Sequence, residues 1–231
     1  TDTPVQDVSL EPRPLEEELE FLLVHAARYL TKDPRPEDVL SAFAGLRPLV
    51  KAGNGENTAA LSRDHTINIS RSGLLTITGG KWTTYRRMAQ DTVDQAAVVG
   101  GLEEKPCSTE SLRIHGYHEH AENFGTLEVY GDDAAKIEQL IQEEPRYADR
   151  LHDTSPVVAA QVVWAVRHEM ARTLEDVLAR RTRCLLLDAR GSIEMAPKAA
   201  ALMAEELGQD EAWQKEQVRA YTELARGYLL T

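Results

Sequence analysis

Three cations and a glycine pair stand where an anion could be held. Gly79 and Gly80 precede Lys81 in SGLLTITGGKWTTYRRMAQDTV, where a β-rich run gives way to a helical pattern. Glycine lets a backbone come close to a flat ligand, and the first amides of a helix point their N–H groups at negative charge. Lys81 adds a mobile cation there, and Thr83 or Thr84 can cap the helix. Arg47 and Arg63 lie at the ends of neighbouring β-rich runs, and the planar arginine fork suits bidentate contacts to a phosphate. His65, two residues after Arg63, has the chemistry of an acid or base near neutral pH. Each feature also has a plain reading: a joint between strand and helix, scattered surface arginines, a structural histidine. Residue pattern alone leaves both open.

Charge sharpens the question. Residues 47–87 hold seven basic and two acidic side chains, a net of +5, whereas the 231-residue chain carries −12 and everything outside that window −17. A positive island in an acidic protein points to an anionic ligand. The acidity of the remainder argues against nucleic acid as a partner, because backbone phosphates need a broad basic face. The two cysteines, Cys107 and Cys184, lack metal-ligand spacing and read as reduced thiols of a cytoplasmic setting. No apolar run approaches the ~20 residues of a membrane span. The acidic, proline-rich first 20 residues do not read as a signal peptide. The start at Thr1, without methionine, suggests a processed or excised piece.

The elements that must position the island come next. Residues 14–30 place leucines at helical spacing behind Glu16, Glu17 and Glu18, which suit a helix N-terminus. Pro36 predicts the start of a short helix through DVLSAFA, and GLRPLV reads as a strand because Pro48 forbids a helix interior. HTINIS and LLTIT predict a hairpin across Arg71-Ser72-Gly73. A helix then runs from about Thr83 to Gly100-Gly101. After about residue 105 the pattern is helical, near 132–143, 156–170, 173–181, 192–207 and 210–229, with Pro156 and Pro197 close to helix starts and Gly191 and Gly208 at breaks. The fold class expected is therefore α+β: a partial mixed sheet over 1–105, then an all-α C-terminal cap over 106–231. Those few strands cannot complete a sheet, and no GxGxxG fingerprint occurs.

The segments VLSAFAGLRPLV, SRDHTINISRSGLLTITGGKWTTYRRMAQDTV and DVLARRTRCLLLDA resemble the FAD-dependent, quinone-linked glycerol-3-phosphate dehydrogenases, and the resemblance covers nearly the whole chain. It implies the last part of interleaved flavin and substrate domains, followed by the helical cap. Arg47, Arg63 and Lys81 are then substrate-binding residues. Gly79, Gly80, Lys81, Trp82 and Thr83 form the flavin-contacting turn, with the helix dipole aimed at the flavin ring. The implied reaction oxidises sn-glycerol 3-phosphate to dihydroxyacetone phosphate by hydride transfer to flavin N5, with electrons passing to ubiquinone or menaquinone. Arg47 and His65 are the catalytic candidates, as polariser of the hydroxyl and as base; no metal is expected. The resemblance also implies peripheral attachment to the inner membrane surface and a possible homodimer. Without the fingerprint half, the isolated chain is expected neither to retain FAD nor to turn over. Two alternatives stay open: a fragment of a related FAD-dependent amino-acid oxidase, and a non-catalytic helical interaction domain.

Two features of the cap call for their own expectations. The cluster Arg180, Arg181, Thr182 and Arg183 is read as a source of internal salt bridges rather than a lipid or nucleic-acid surface. The stripe Trp213, Val218, Tyr221, Leu224, Ala225, Tyr228 and Leu229 is read as packing.

Overall fold

The computed structural model describes residues 1, 3–6, 8–46 and 64–230. It divides into a helical unit, Ser9–Gly45 with His115–Thr231, and a smaller unit that is essentially Leu46–Ile114. The division falls nearer residue 115 than 105, and the early helix joins the helical unit rather than the strands.

That helix, α1 (Glu16–Ala27), begins where the Leu15 N–H donates to the Glu18 carboxylate at 3.2 Å. Glu16, Glu17 and Glu18 fill its first turn, where the dipole favours negative charge. The helix expected from Pro36 amounts to one 3-10 turn, Pro36–Asp38. Tertiary partners capture the backbone beyond it. The Ala42 N–H donates to the Tyr228 carbonyl at 2.8 Å, and the Leu40 carbonyl accepts from the Ala189 N–H at 3.0 Å. Hydrogen bonds to distant residues replace those that would have continued the helix. These bonds also explain why residues 9–45 pack with the cap. The strand expected at GLRPLV lies largely outside the described residues.

In the smaller unit, β1 (His65–Ile69) and β2 (Leu75–Gly79) form an antiparallel two-stranded sheet whose register pairs His65 with Gly79 and Ile67 with Ile77. A 3-10 turn, Trp82–Thr84, leads into α2 (Tyr85–Gly100), which stops at Gly101 in the left-handed conformation. Among the described residues 64–114, no side chain is buried. A hairpin and one helix are too few elements to close a core.

The core belongs to the helical unit: α3 (Ala134–Glu143), α4 (Ala159–His168), α5 (Cys184–Leu187), α6 (Ala189–Leu207) and α7 (Glu211–Arg226). Val162, Leu174, Leu178, Met195, Ala199 and Met203 make the larger cluster; Tyr221 and Ala225 of α7 close it. Trp213, Val218, Leu224, Tyr228 and Leu229 pack on it, so the apolar stripe is core. Pro197 sits inside α6 rather than near its start, and Gly191 lies in the first turn of α6 rather than at a break. Burial of Met195, Ala196, Ala199 and Ala200 on both sides of Pro197 holds the helix despite the missing N–H. The stretch expected as a helix over 173–181 contains a π-helical turn, Asp176–Arg181. Arg180 pairs with Glu175 and Asp176, and Arg181 donates to the Glu169 carbonyl, so internal ion pairs absorb much of the basic cluster.

Candidate functional site

β2 delivers the chain to the glycine pair at the end of the sheet. Gly79 and Gly80 both have φ of 77°, a conformation that costs an L side chain strain. A Cβ on Gly80 would lie 2.4 Å from Met88 Sδ and 3.4 Å from His65 Cβ. Close packing of α2 on the turn is thus a local reason for glycine there. Lys81 follows with an extended backbone. Its N–H donates to Thr84 Oγ1 at 3.2 Å, and that hydroxyl donates back to the Lys81 carbonyl at 3.0 Å, so the Thr84 side chain closes the turn onto Lys81 and does not cap the amides of α2. Lys81, Trp82 and Thr83 are exposed, and the Trp82 ring stacks on Tyr85 with centroids 5.5 Å apart. The first amides of this turn have no acceptor within their own helix. An exposed turn at the start of a helix, with a lysine and an aromatic face, has groups suited to a flat, electron-rich ring with anionic character.

His65 stands opposite Gly79 on β1 and faces α2. Its Nε2 lies 3.0 Å from Asp91 Oδ2, and Arg87 Nε lies 3.0 Å from Asp91 Oδ1. A shallow cavity of about 340 Å³, lined by His65, Ile67, Asp91, Asp94 and Gln95, opens beside this pair. Sequence reading missed Asp91. The signal was present in the helical spacing of Arg87 and Asp91, an i,i+4 ion pair.

The structure therefore brings Gly79, Gly80, Lys81, Trp82, Thr83 and His65 into one neighbourhood. Arg47 and Arg63 lie outside the described residues. Two other arginines of the island, Arg86 and Arg87, serve local structure: Arg87 holds Asp91, and Arg86 donates to Gln90 at 3.0 Å and Thr109 at 3.2 Å. Arg86 also reaches Cys107 Sγ at 3.8 Å. The Cys107 thiol is drawn below its ordinary value, chiefly by its hydrogen bond with Thr109 and to a lesser degree by the Arg86 charge.

The chain is similar to known proteins over most of its length. Residues 71–214, more than half of the chain, match the family described as the C-terminal domain of alpha-glycerophosphate oxidase. Among curated relatives, a probable mitochondrial glycerol-3-phosphate dehydrogenase of Caenorhabditis elegans is 39% identical over 99% of this chain and 34% of its own length. The human mitochondrial glycerol-3-phosphate dehydrogenase is 35% identical over the same shares, 99% and 34%. The chain thus spans about a third of the length of these relatives. A solved glycerol-3-phosphate dehydrogenase from Bacillus halodurans, complexed with FAD, superposes with a TM-score of 0.74 at 24% identity, covering 100% of this chain and 48% of that one. This last likeness establishes the fold: a mixed fragment followed by a helical domain. The chain belongs to the family of the alpha-glycerophosphate oxidase C-terminal domain.

Proposed function

We propose that this chain is the C-terminal part of an FAD-dependent dehydrogenase that oxidises sn-glycerol 3-phosphate to dihydroxyacetone phosphate. The observation that carries this reading is the match along nearly the whole chain to relatives named glycerol-3-phosphate dehydrogenase. In it, Gly79, Gly80, Lys81, Trp82 and Thr83 hold the edge of the flavin, and a bound flavin supplies the acceptor for the hydride leaving substrate carbon 2. Lys81 contributes positive charge toward the substrate phosphate, with Arg47 and Arg63 as its partners.

The His65–Asp91 pair supplies the chemistry of a proton acceptor. An ionised carboxylate only accepts hydrogen bonds, so Asp91 favours the proton on His65 Nε2. Nδ1 is then the ring nitrogen left to receive a proton, and Asp91 would steady the imidazolium formed. Arg47 is the alternative catalytic group, polarising the 2-hydroxyl.

Electrons pass onward to a quinone at a membrane surface, which the sequence resemblance supports. The isolated chain does not retain FAD: a two-stranded sheet with no buried side chain over 64–114 is a poor platform for a cofactor of that size. The test is product analysis on the complete protein loaded with FAD and given an artificial electron acceptor. Dihydroxyacetone phosphate formed from glycerol 3-phosphate supports the reading. Oxidation of amino acids alone would replace it with the oxidase alternative.

A further inference from the structure

The glycine turn has a side that a ligand cannot use. At Gly80 the direction in which a Cβ would point is already filled: that atom would meet Met88 Sδ first, Met88 Cε at 2.7 Å and His65 Cβ at 3.4 Å. Contacts that short leave no room for an aromatic ring between the turn and α2. A flat ligand must therefore come from the other side, where Lys81, Trp82 and Thr83 are exposed.

Local structure explains how Met88 reaches that place. It stands in the first turn of α2, and helical side chains lean toward the N-terminus, so a residue there covers the segment leading into the helix. An unbranched thioether also follows an irregular gap better than a branched side chain does. The His65–Asp91 contact of 3.0 Å, one turn further along α2, ties the helix to β1, and His65 pairs across the sheet with Gly79. Hairpin, helix and glycine pair thus meet around the half-buried Met88 side chain.

We propose that Met88 is a positioning residue for the flavin, an inference that rests on the function proposed above. Its thioether backs Gly80 from the side away from the ligand, so that the peptides of Gly79, Gly80 and Lys81 keep one orientation toward the flavin edge. Two successive glycines have no side chains of their own to restrict them, and both must hold a φ of 77°. Thr84 clasps the turn at Lys81, and Met88 supplies the packing at Gly80. Met88 touches no reacting atom; it acts through the turn. A site whose supporting side chains leave it about 1 Å loose loses much of its binding and its rate.

The test uses the complete protein with FAD, comparing wild type, Met88→Ala and Met88→Leu. FAD affinity is read from flavin fluorescence as the apoprotein is titrated, and the flavin midpoint potential is measured on the loaded protein. We expect Met88→Ala to weaken FAD binding about tenfold. Its potential should move to more negative values, because a loosened turn no longer sets the helix N-terminus and Lys81 against the charge of the reduced flavin. Met88→Leu restores the volume under Gly80 and should recover both values to within about twofold of wild type. A merely structural role would lower the melting temperature of Met88→Ala and leave affinity and potential where they were. That result, or a Met88→Leu variant as impaired as Met88→Ala, would overturn the proposal. Neither readout uses glycerol 3-phosphate. Loaded wild type that the substrate fails to reduce would contradict the proposed function alone, whereas wild type that is reduced beside a Met88→Ala variant of unchanged affinity and potential would contradict this inference alone.

Discussion

His65 and Asp91 meet at 3.0 Å, and through that contact the hairpin is tied to the helix that follows it. Asp91 uses its second oxygen for Arg87, so one carboxylate organises a strand residue and a helix residue beside the glycine turn. With no side chain buried among the described residues 64–114, such a tie carries an unusual share of the local order.

Asp91→Ala should therefore loosen the hairpin without unfolding the cap. The expected cost is about 1 kcal/mol, roughly a fivefold loss of protection. Amide hydrogen exchange of β1 and β2 measures it. Unchanged exchange in the hairpin would mean that the pair is incidental.

Gly80→Ala combines two penalties, a φ of 77° and a Cβ placed 2.4 Å from Met88 Sδ. The expected loss is about 1–2 kcal/mol of local stability, seen as faster exchange at the end of β2 and the start of α2. Met88 is flexible, so Met88→Ala in the same chain should recover the steric part and leave the backbone part. Equal exchange in single and double variants would show that only φ matters.

On the cap, Arg167 of α4 clasps Glu206 of α6 with two hydrogen bonds of 2.6 and 2.7 Å, and the Glu206 side chain is only 11% exposed. Arg167→Ala leaves a nearly buried carboxylate with only the distant Tyr147 hydroxyl, at 3.5 Å, as donor. Urea unfolding should show a loss of about 1–2 kcal/mol, moderated because the guanidinium itself is partly in water. Arg219→Ala removes an equally short pair, with Glu216, but both partners are exposed, and its unfolding midpoint should not move.

Burial pushes the Tyr130 phenol up from 10.0 to about 12, against a smaller opposing effect of its hydrogen bond with Gln161. The unfolded chain releases this proton first. The contribution of Tyr130 to stability is thus fully present below about pH 10 and falls by about 1.4 kcal/mol per pH unit as pH rises toward 12. Tyr130→Phe should flatten that decline in chemical-unfolding curves measured from pH 9.5 to 11.5, values chosen to span roughly that window. Tyr221 and Tyr228, whose phenols burial also raises, leave the remaining slope in the variant.

Much of this architecture was legible in the residues. Alternation in HTINIS and LLTIT, with a turn between, identified the hairpin, and helical periodicity found α2 and the main cap helices. What failed did so for tertiary reasons. The helix expected after Pro36 loses its backbone to Tyr228 and Ala189, partners that lie more than a hundred residues away. Pro197 reads as a helix start only if burial on either side of it is unknown. At the site, the glycine turn and Lys81 were visible by type and spacing. The pairing of His65 with Asp91 was not, because it depends on how β1 sits against α2.

The most direct measurement is anaerobic addition of sn-glycerol 3-phosphate to the complete protein, wild type beside Lys81→Ala, while the visible flavin absorbance is followed. The proposed function predicts that the yellow colour bleaches in the wild type and that Lys81→Ala needs far more substrate for the same change. A bound flavin that stays yellow in the wild type would contradict it.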